Sequence, residues 1–485
     1  MNSFLGLSIG TKALSASQTA LNTIDHNISN AKTTGYSRQV VTQKASTALS
    51  TSNGSGMIGT GVSITSIVRV RNEFLDKRYW NQSTISGEWS TKSSALSELE
   101  SLVNSSSTDG LDDVLSSFLS SLGDLSDDPS GDSTRTAVVE EGAAFCKYLN
   151  NMASTMQNLL DDNNSCIKTD VDQINSYAKQ ICDLNKQIFK SELDGSVAND
   201  LRDQRTVLVD KLSSIADVQV SESNPGTNDA KYSVRINGID LVNHYDYNEL
   251  ECYTKSDGTY GVQWAETKNK VTFTGGSIKG YIDVAASDGT NDSFKGIPYY
   301  IDKLNTFART FAEAFNKIHA GGVGSDDSTG VSFFSYDGLS SENLSGNSSN
   351  ITAFNISLTS DVKNDTDKIA TALESGEDEN SDNLTKLINM FSDTSVFENG
   401  SPEDNVNSIF TTMGVEVSYA STMSTSNNNI LENIDTNRSS VSGVSLNEES
   451  TNLIIYQQVY NAASKAISVM DAILDVTINS LGSDW

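Results

Sequence analysis

The sequence predicts a mainly α chain with an inserted β domain. Two observations carry this. Apolar residues recur every seven positions near both ends and again in the middle, the spacing of helices packed on helices. From about Val218 to Val284 the spacing changes to alternation broken by two-residue turns, the spacing of β-hairpins.

The elements follow in order. Leu7, Leu14, Leu21 and Ile28 lie seven apart, flanked by Ile24 and Ala31. That helix should stop before Gly35, because Thr33-Thr34-Gly35-Tyr36-Ser37 is a poor helix run. Ile167, Ile174, Ile181 and Ile188 mark another helix, with Val171, Tyr177 and Leu184 between them. In the β stretch, Lys231–Ile236 and Ile239–Val242 flank an Asn237-Gly238 turn, and Tyr253–Ser256 and Thr259–Trp264 flank Asp257-Gly258. Val271–Thr274 and Ser277–Val284 read as two more strands around Gly275-Gly276. Leu304, Phe311, Phe315 and Ile318 mark the next helix, with Pro298 in its first turn.

Gly321–Gly330 and Asn343–Asn350 read as loops. Asp361–Asp404, with twelve acids and three bases, reads as short helices and exposed loops, with Glu374–Asn383 a solvated turn. The strongest pattern closes the chain. Leu446, Leu453, Tyr460, Ile467, Leu474 and Leu481 fall every seven residues, and Tyr456, Ala463 and Met470 supply the second seam position. No Pro or Gly interrupts Leu446 to Leu481, and Gly482 follows as a stop. Neither terminal helix is stable alone in water, so each needs a partner. This favours termini that are loose in the monomer and ordered in an assembly.

Composition sets limits on function. The 485 residues carry 33 Lys+Arg against 63 Asp+Glu, a net charge of −30. Such a surface repels a nucleic acid backbone and anionic membranes. Only 36% of residues are apolar, mean hydropathy is −0.34, and no stretch approaches the ~20 apolar residues of a membrane span. Met1 to Asn30 interleaves polar residues throughout, unlike a cleavable secretory signal. A protein outside the cell would then need an export route that reads no cleaved signal. Cys146, Cys166, Cys182 and Cys252 have no zinc-site spacing and read as free, mostly buried thiols.

Chemical motifs are weak. Gly6-Leu7-Ser8-Ile9-Gly10 matches a nucleophile elbow, but it sits in a helical seam with no preceding strand. Gly321-Gly322-Val323-Gly324-Ser325-Asp326 resembles one calcium-binding nonapeptide, a site that needs stacked copies. His26, His244 and His319 form no His-Glu-x-x-His. Adjacent carboxylates such as Asp112-Asp113 and Asp161-Asp162 read as caps or solvated surface. The reading is a protein without cofactor, metal or catalytic residues. The alternative from another class is a secreted hydrolase using two distant carboxylates.

One segment is more specific. Ile24-Asp25-His26-Asn27-Ile28-Ser29-Asn30-Ala31-Lys32-Thr33-Thr34-Gly35-Tyr36-Ser37-Arg38 closely resembles the N-terminal signature of bacterial flagellar rod, hook and hook-associated proteins. Two Asn three apart share a helix face and can bond to backbone as the helix ends. Gly35 allows the reversal that follows. Tyr36 is then placed to pack on the seam. Ser442-Gly443-Val444-Ser445-Leu446-Asn447-Glu448-Glu449, leading into Tyr456-Gln457-Gln458-Val459-Tyr460, resembles the hook–filament junction branch of that family, with Asn447 where Asp is usual. Asn316, His319 and Phe333-Phe334 resemble a central segment of the same branch.

The resemblance implies an architecture of three parts. A terminal α-helical coiled coil is built from 1–80 with 430–485. A helical-bundle domain is built from 81–216 with 295–429. An outer β domain covers 217–294. It also implies a structural junction adapter, with copies of itself in a ring, the hook protein on one side and a second junction protein or the filament on the other. A dedicated export chaperone would hold the C-terminal helix, and the protein would reach the extracellular flagellum by type III export without signal cleavage. Neither nucleic acid nor membrane insertion is expected. The near alternative is a hook or rod axial protein.

The expected assembly residues are Leu7, Leu14, Leu21 and Ile28 on one helix, and Leu446, Leu453, Tyr456, Tyr460, Ile467, Leu474 and Leu481 on the other. Asn27, Asn30, Thr34, Gly35 and Tyr36 are expected to set the exit from the inner helix. Charge agrees with pairing of the ends: residues 1–80 carry a net +5 and residues 430–485 a net −5.

Overall fold

A computed structural model describes residues 3–50, 56–105, 110–223, 231–290, 293–344, 348–377 and 379–481. The chain starts with α1 (Ser3–Asn30) and a β arm formed by β1 (Gln39–Ala45), β2 (Leu49–Ser50), β3 (Met57–Ile58) and β4 (Val62–Arg69). Helices α2 (Glu73–Ser105), α3 (Leu111–Asp127), α4 (Asp132–Glu192) and α5 (Asn199–Ile215) follow. Then come β5 (Val218–Ser223), β6 (Lys231–Ile236), β7 (Ile239–Asn243), β8 (Asp246–Tyr247), β9 (Leu250–Thr254) and β10 (Tyr260–Trp264). The chain returns through α6 (Ser277–Ala286), α7 (Ile297–His319), β11 (Phe334–Tyr336), α8 (Ser341–Leu344), β12 (Ile356–Leu358), α9 (Ser360–Asn364) and α10 (Asp382–Met390). It ends in α11 (Pro402–Ser442) and α12 (Leu446–Leu481).

The two ends pair. Helix α12 runs antiparallel to α1, in a register where Gly6 meets Met470, Gly10 meets Ile467 and Asn27 meets Glu449. The β1–β4 arm folds back along α1 toward its N-terminal half: Lys12 Nζ donates to the Thr60 carbonyl at 3.1 Å, and Gly61 lies against Ile9.

The helical body has one aromatic core. Phe118, Phe145, Phe311, Phe315, Phe333 and Phe334 are fully buried, with ring centroids 4.9 to 6.3 Å apart. The α7 stripe expected from sequence supplies Leu304, Phe311 and Phe315 to it, and Pro298 does sit in the first turn of α7. Asn316 ties this core together. Its Oδ1 accepts from the Phe333 and Phe334 N–H groups at 2.9 and 2.8 Å, and its Nδ2 donates to the Phe334 carbonyl at 2.8 Å. His319 is fully buried, Nδ1 against the Val331 carbonyl at 2.7 Å, Nε2 accepting from the Ala370 N–H at 3.1 Å. Burial lowers its pKa to about 4, so it is neutral.

The 61-residue α4 spans both parts of the molecule. Its later turns bury Ile167, Ile174, Ile181 and Ile188 against β7 to β10 and α5. The sheet β5-β6-β7-β8 is antiparallel, and β9–β10 is a separate hairpin. Both two-residue turns occur where expected, with positive φ at Asn237, Gly238 and Gly258.

Two strand expectations are corrected. Val271–Thr274 forms no strand. Ser277–Val284 is helix α6, not a strand, so the end of the segment expected as β belongs to the helical packing. Ile278, Ile282 and Ala285 also fit helical spacing, and burial against α2 and α4 decides between the two periods. Gly276 allows this, since its φ is +89° and a Cβ there would lie 2.1 Å from the Ile215 carbonyl oxygen. Two further corrections are small. Asn383 is buried and donates to the Ala370 carbonyl at 2.9 Å, although Glu374 to Glu377 are exposed as expected. Asn343 lies in the one-turn helix α8, while residues 345–347 of that expected loop lie outside the described residues. The long α2 and α11 pack on each other and run unbroken through positions 80 and 430.

Candidate assembly site

The α1–α12 contact starts from two stripes of side chains. Leu7, Leu14, Leu21 and Ile28 are half-buried on α1, and Ala16, Ala20 and Ile24 are buried beside them. On α12, Leu453, Tyr456, Tyr460, Ile467, Met470 and Leu474 are half-buried and Ala463 is buried. Leu446 is 49% exposed. Leu481 ends α12, but its side chain lies outside the described residues. Gly6 and Gly10 let the helices approach: a Cβ at Gly10 would meet Ile467 Cγ1 at 2.8 Å. Close helix packing, and no nucleophile elbow, accounts for this Gly-x-Ser-x-Gly; Ser8 itself is exposed on α1.

The exit from α1 is a closed hydrogen-bond clasp. Asn27 is 1% exposed. Its Nδ2 donates to the Gln39 carbonyl at 2.9 Å and to Glu449 Oε2 at 3.1 Å. Its Oδ1 accepts from the Gln39 N–H at 2.9 Å and the Tyr36 hydroxyl at 2.8 Å. All four hydrogen-bonding positions of the amide are therefore used. With the Tyr36 proton on Asn27, His26 Nδ1, 2.8 Å from the same hydroxyl, must donate to it. Asn30 bonds its own helix, donating to the His26 carbonyl at 3.0 Å, and accepts from Thr33 Oγ1 at 3.2 Å. So only Asn30 caps locally, whereas Asn27 reaches across to β1 and α12.

Gly35 has φ +78°, and a Cβ there would lie 2.1 Å from Val207 Cγ2. Both the turn and the contact with α5 demand glycine. Thr34 is exposed in this turn. Tyr36 folds back, but onto His26 (ring centroids 5.5 Å) and Asn27 rather than onto the leucine stripe. Burial first, then the carboxylates of Asp200, Asp203 and Glu449, hold its phenol well above its ordinary pKa, so it remains a donor.

Sequence reasoning missed the charged chain that anchors this clasp to the body. The Ser37 N–H and hydroxyl donate to Asp203 at 2.7 and 2.8 Å. Arg69 pairs with Asp203 at 2.8 Å, and Arg71 bridges Asp203 (3.6 Å) to Asp76 (3.0 Å). Arg438 of α11 then pairs with Asp210 (2.9 Å), Asp435 (2.8 Å) and Asp76 (3.8 Å), and stacks 3.7 Å from the Tyr79 ring centroid. The Trp80 indole donates to Asp210 at 2.7 Å. Arg69, the last residue of β4, and Arg71, two positions on, both reach Asp203 and were the visible signal. A second lock joins α4, α5 and β5: Arg202 pairs with Glu192 at 2.7 Å and Glu222 at 3.0 Å, and Arg205 lies 3.6 Å over Tyr232.

Helix α12 keeps a second apolar stripe away from the half-buried one. Ile455, Val459, Ala462, Ala466, Val469, Ile473 and Val476 follow a 4-3-4-3-4-3 spacing and all are exposed. Val469 and Val476 are 58% and 61% exposed. Among the described residues no group of three His, Cys, Asp or Glu is placed to hold a metal ion, and no helix is long and apolar enough to cross a membrane. The four cysteines are free thiols.

Known proteins match along the whole length. A family profile described as the flagellar hook-associated protein FlgK helical domain matches residues 96–334. One described as the flagellar basal body rod FlgEFG protein C-terminal matches residues 436–481. The flagellar hook-associated protein 1 of Bacillus subtilis (strain 168) is 32% identical over 512 residues, covering 99% of each chain. That of Salmonella typhimurium is 26% identical over 562 residues, covering 96% of this chain and 98% of its own. The solved flagellar hook junction protein FlgK from Burkholderia pseudomallei overlaps 53% of this chain and 46% of its own at 24% identity, with a TM-score of 0.47. The chain belongs to the flagellar hook-associated protein 1 family.

Proposed function

We propose that this chain is a structural adapter of the bacterial flagellum, assembling as a ring of copies between hook and filament. The observation that carries the reading is the exposed second stripe of α12. A helix already packed on α1 through one heptad seam presents another, which needs cover from outside the chain. Head-to-tail copies supply such cover. The hook protein then lies on one side, and a second junction protein or the filament on the other. Before assembly the same stripe is what an export chaperone would shield. Export follows the flagellar type III route without signal cleavage, to the extracellular flagellum. The work is done by packing, with no chemical step; family membership leaves the hydrolase alternative without support.

The test is deletion followed by motility assay and electron microscopy. Loss of filaments with retained hooks is expected; normal filaments would sink the reading. Tyr460→Ala or Ile467→Ala should impair assembly. The match of residues 436–481 to a rod-type C-terminal profile keeps a hook or rod role as the second reading. Immunolabel confined to the hook–filament boundary favours the adapter, and label along the hook favours the alternative.

A further inference from the structure

The second stripe of α12 reads the same in both directions. Ala462 and Ala466 lie two positions either side of Ser464, Val459 and Val469 five, and Ile455 and Ile473 nine. All six are exposed. Their centre falls at the middle of α12, which runs from Leu446 to Leu481. A stripe shaped for an unrelated helix has no reason to be palindromic. The partner that presents the same order reversed is a second copy turned through a twofold axis, the self-complementary contact of a closed dimer.

The geometry suits such a pair. Two antiparallel α12 helices centred on Ser464 put Ala462 against Ala466, Val459 against Val469 and Ile455 against Ile473, each layer twice. Small side chains at the centre allow close approach, and larger ones fill the flanks. The seam that holds α1 (Tyr456, Tyr460, Ala463, Ile467, Met470 and Leu474) is the same series moved on by one residue, about 100° round the helix. Two apolar faces at roughly a right angle are what a helix at the corner of a four-helix bundle needs.

Charge selects the same arrangement. Two chains of net charge −30 repel, yet α12 has no acid from Ser450 to Met470, where Lys465 is the one charge. In the antiparallel pair the points where α12 leaves the two bodies are ~54 Å apart, at ~1.5 Å per residue. That is several times the ~8 Å screening length at physiological ionic strength. A parallel pair would set the acidic bodies side by side.

We infer that two free copies pair antiparallel through the second stripe of α12, as a closed dimer that precedes assembly. Such a dimer cannot propagate, so building the ring has to open it. The inference rests on the stripe and not on the ring.

Sedimentation of the purified full chain over a micromolar concentration range tests it. The native chain should reach twice its 52.1 kDa. Val459→Lys and Val469→Asp should each weaken the dimer about a hundredfold, since each sets a charge against an apolar side chain. The two combined in one chain oppose cation and anion across the twofold axis and should return to within about tenfold of the native dimer. Thermal unfolding of the variants should match the native chain, because both side chains are exposed. A native chain that stays monomeric or forms larger assemblies instead overturns the pairing. So do single variants that dimerise like the native chain, or a combined variant no better than either single one. None of these outcomes touches the ring, which deletion and microscopy decide by themselves.

Discussion

Asn27 donates a 3.1 Å hydrogen bond to the buried carboxylate of Glu449, across 422 positions of sequence. This contact closes the pairing of the two terminal helices at the end where both enter the body. Asn27→Ala would leave that carboxylate, the Gln39 N–H and the Gln39 carbonyl without their partner. A cost of about 2–4 kcal/mol is expected, since several buried groups are orphaned at once. Glu449→Gln still accepts from Asn27 and should cost less than about 1 kcal/mol. Hydrogen exchange over residues 3–30 and 446–477 measures both. Exchange there should already be faster than in α4 and α7, because α12 is exposed along most of its surface. Equal protection of all four helices in dilute monomer would contradict this.

The two glycines of α1 should respond differently to alanine. At Gly6 the new Cβ meets the flexible end of Met470 at 2.9 Å, which can swing aside. The gain in helix propensity of ~1 kcal/mol then dominates, and Gly6→Ala should be neutral or stabilising. At Gly10 it meets the branched Ile467 at 2.8 Å. Overpacking of about 1–3 kcal/mol then exceeds the propensity gain. Exchange protection of α12 near Ile467 should fall in Gly10→Ala only.

Arg438 compensates Asp210 and Asp76 among buried groups. Arg438→Ala should cost about 3–5 kcal/mol by leaving the Asp210 carboxylate without its ion-pair partner, while Asp76 keeps Arg71 at 3.0 Å. Arg438→Met combined with Asp210→Asn should recover much of that, because desolvation of the charges disappears with them. Urea midpoints of the three proteins decide the point; equal midpoints for the single and double variants would show that charge is not what the site loses.

Stability should carry two opposed pH dependences. Burial raises the Asp170 carboxyl from 3.8 to about 6, against the opposing hydrogen bond from Ser277. A raised acid stabilises the fold below its unfolded pKa, and that contribution is lost as pH rises through about 6. His319 is lowered to about 4, so its contribution is full above 6.5 and is lost as pH falls toward 4. Asp170→Asn keeps an acceptor for Ser277 and removes the first slope. It should gain about 1–3 kcal/mol at pH 7 and lose stability more steeply than the parent between pH 6 and 4. Denaturant midpoints across that range measure the change.

Much of the local structure was legible. Helix α12 spans the Leu446–Leu481 stripe read from the heptads, and both Gly-containing turns sit between paired strands. Ser277–Val284 was not legible, since its apolar residues fit both periods until α2 and α4 cover one face. The helices α2 and α11 escaped notice because they are rich in Ser, Thr and Asn, which have little propensity for helix; packing on each other holds them. In the clasp, Asn27, Gly35 and Tyr36 were visible in the motif. The role of Glu449 was not, nor the chain Asp203–Arg71–Asp76–Arg438, because a charge has no visible partner in a linear string.

The sequence by itself determined that the first helix stops before Gly35, where the last helix begins and ends, which stripe of each is apolar, where two hairpins turn and to which family the motifs point. Each is encoded within a few residues, by side-chain period and by the backbone freedom of glycine. Only the tertiary structure decided that Asn27 reaches outward while Asn30 caps locally, that Gly6 and Gly10 serve close approach, and that α12 retains a second, uncovered stripe. Those outcomes depend on the register between segments hundreds of residues apart, set by the summed packing of α1, α12 and the arm rather than by any local preference.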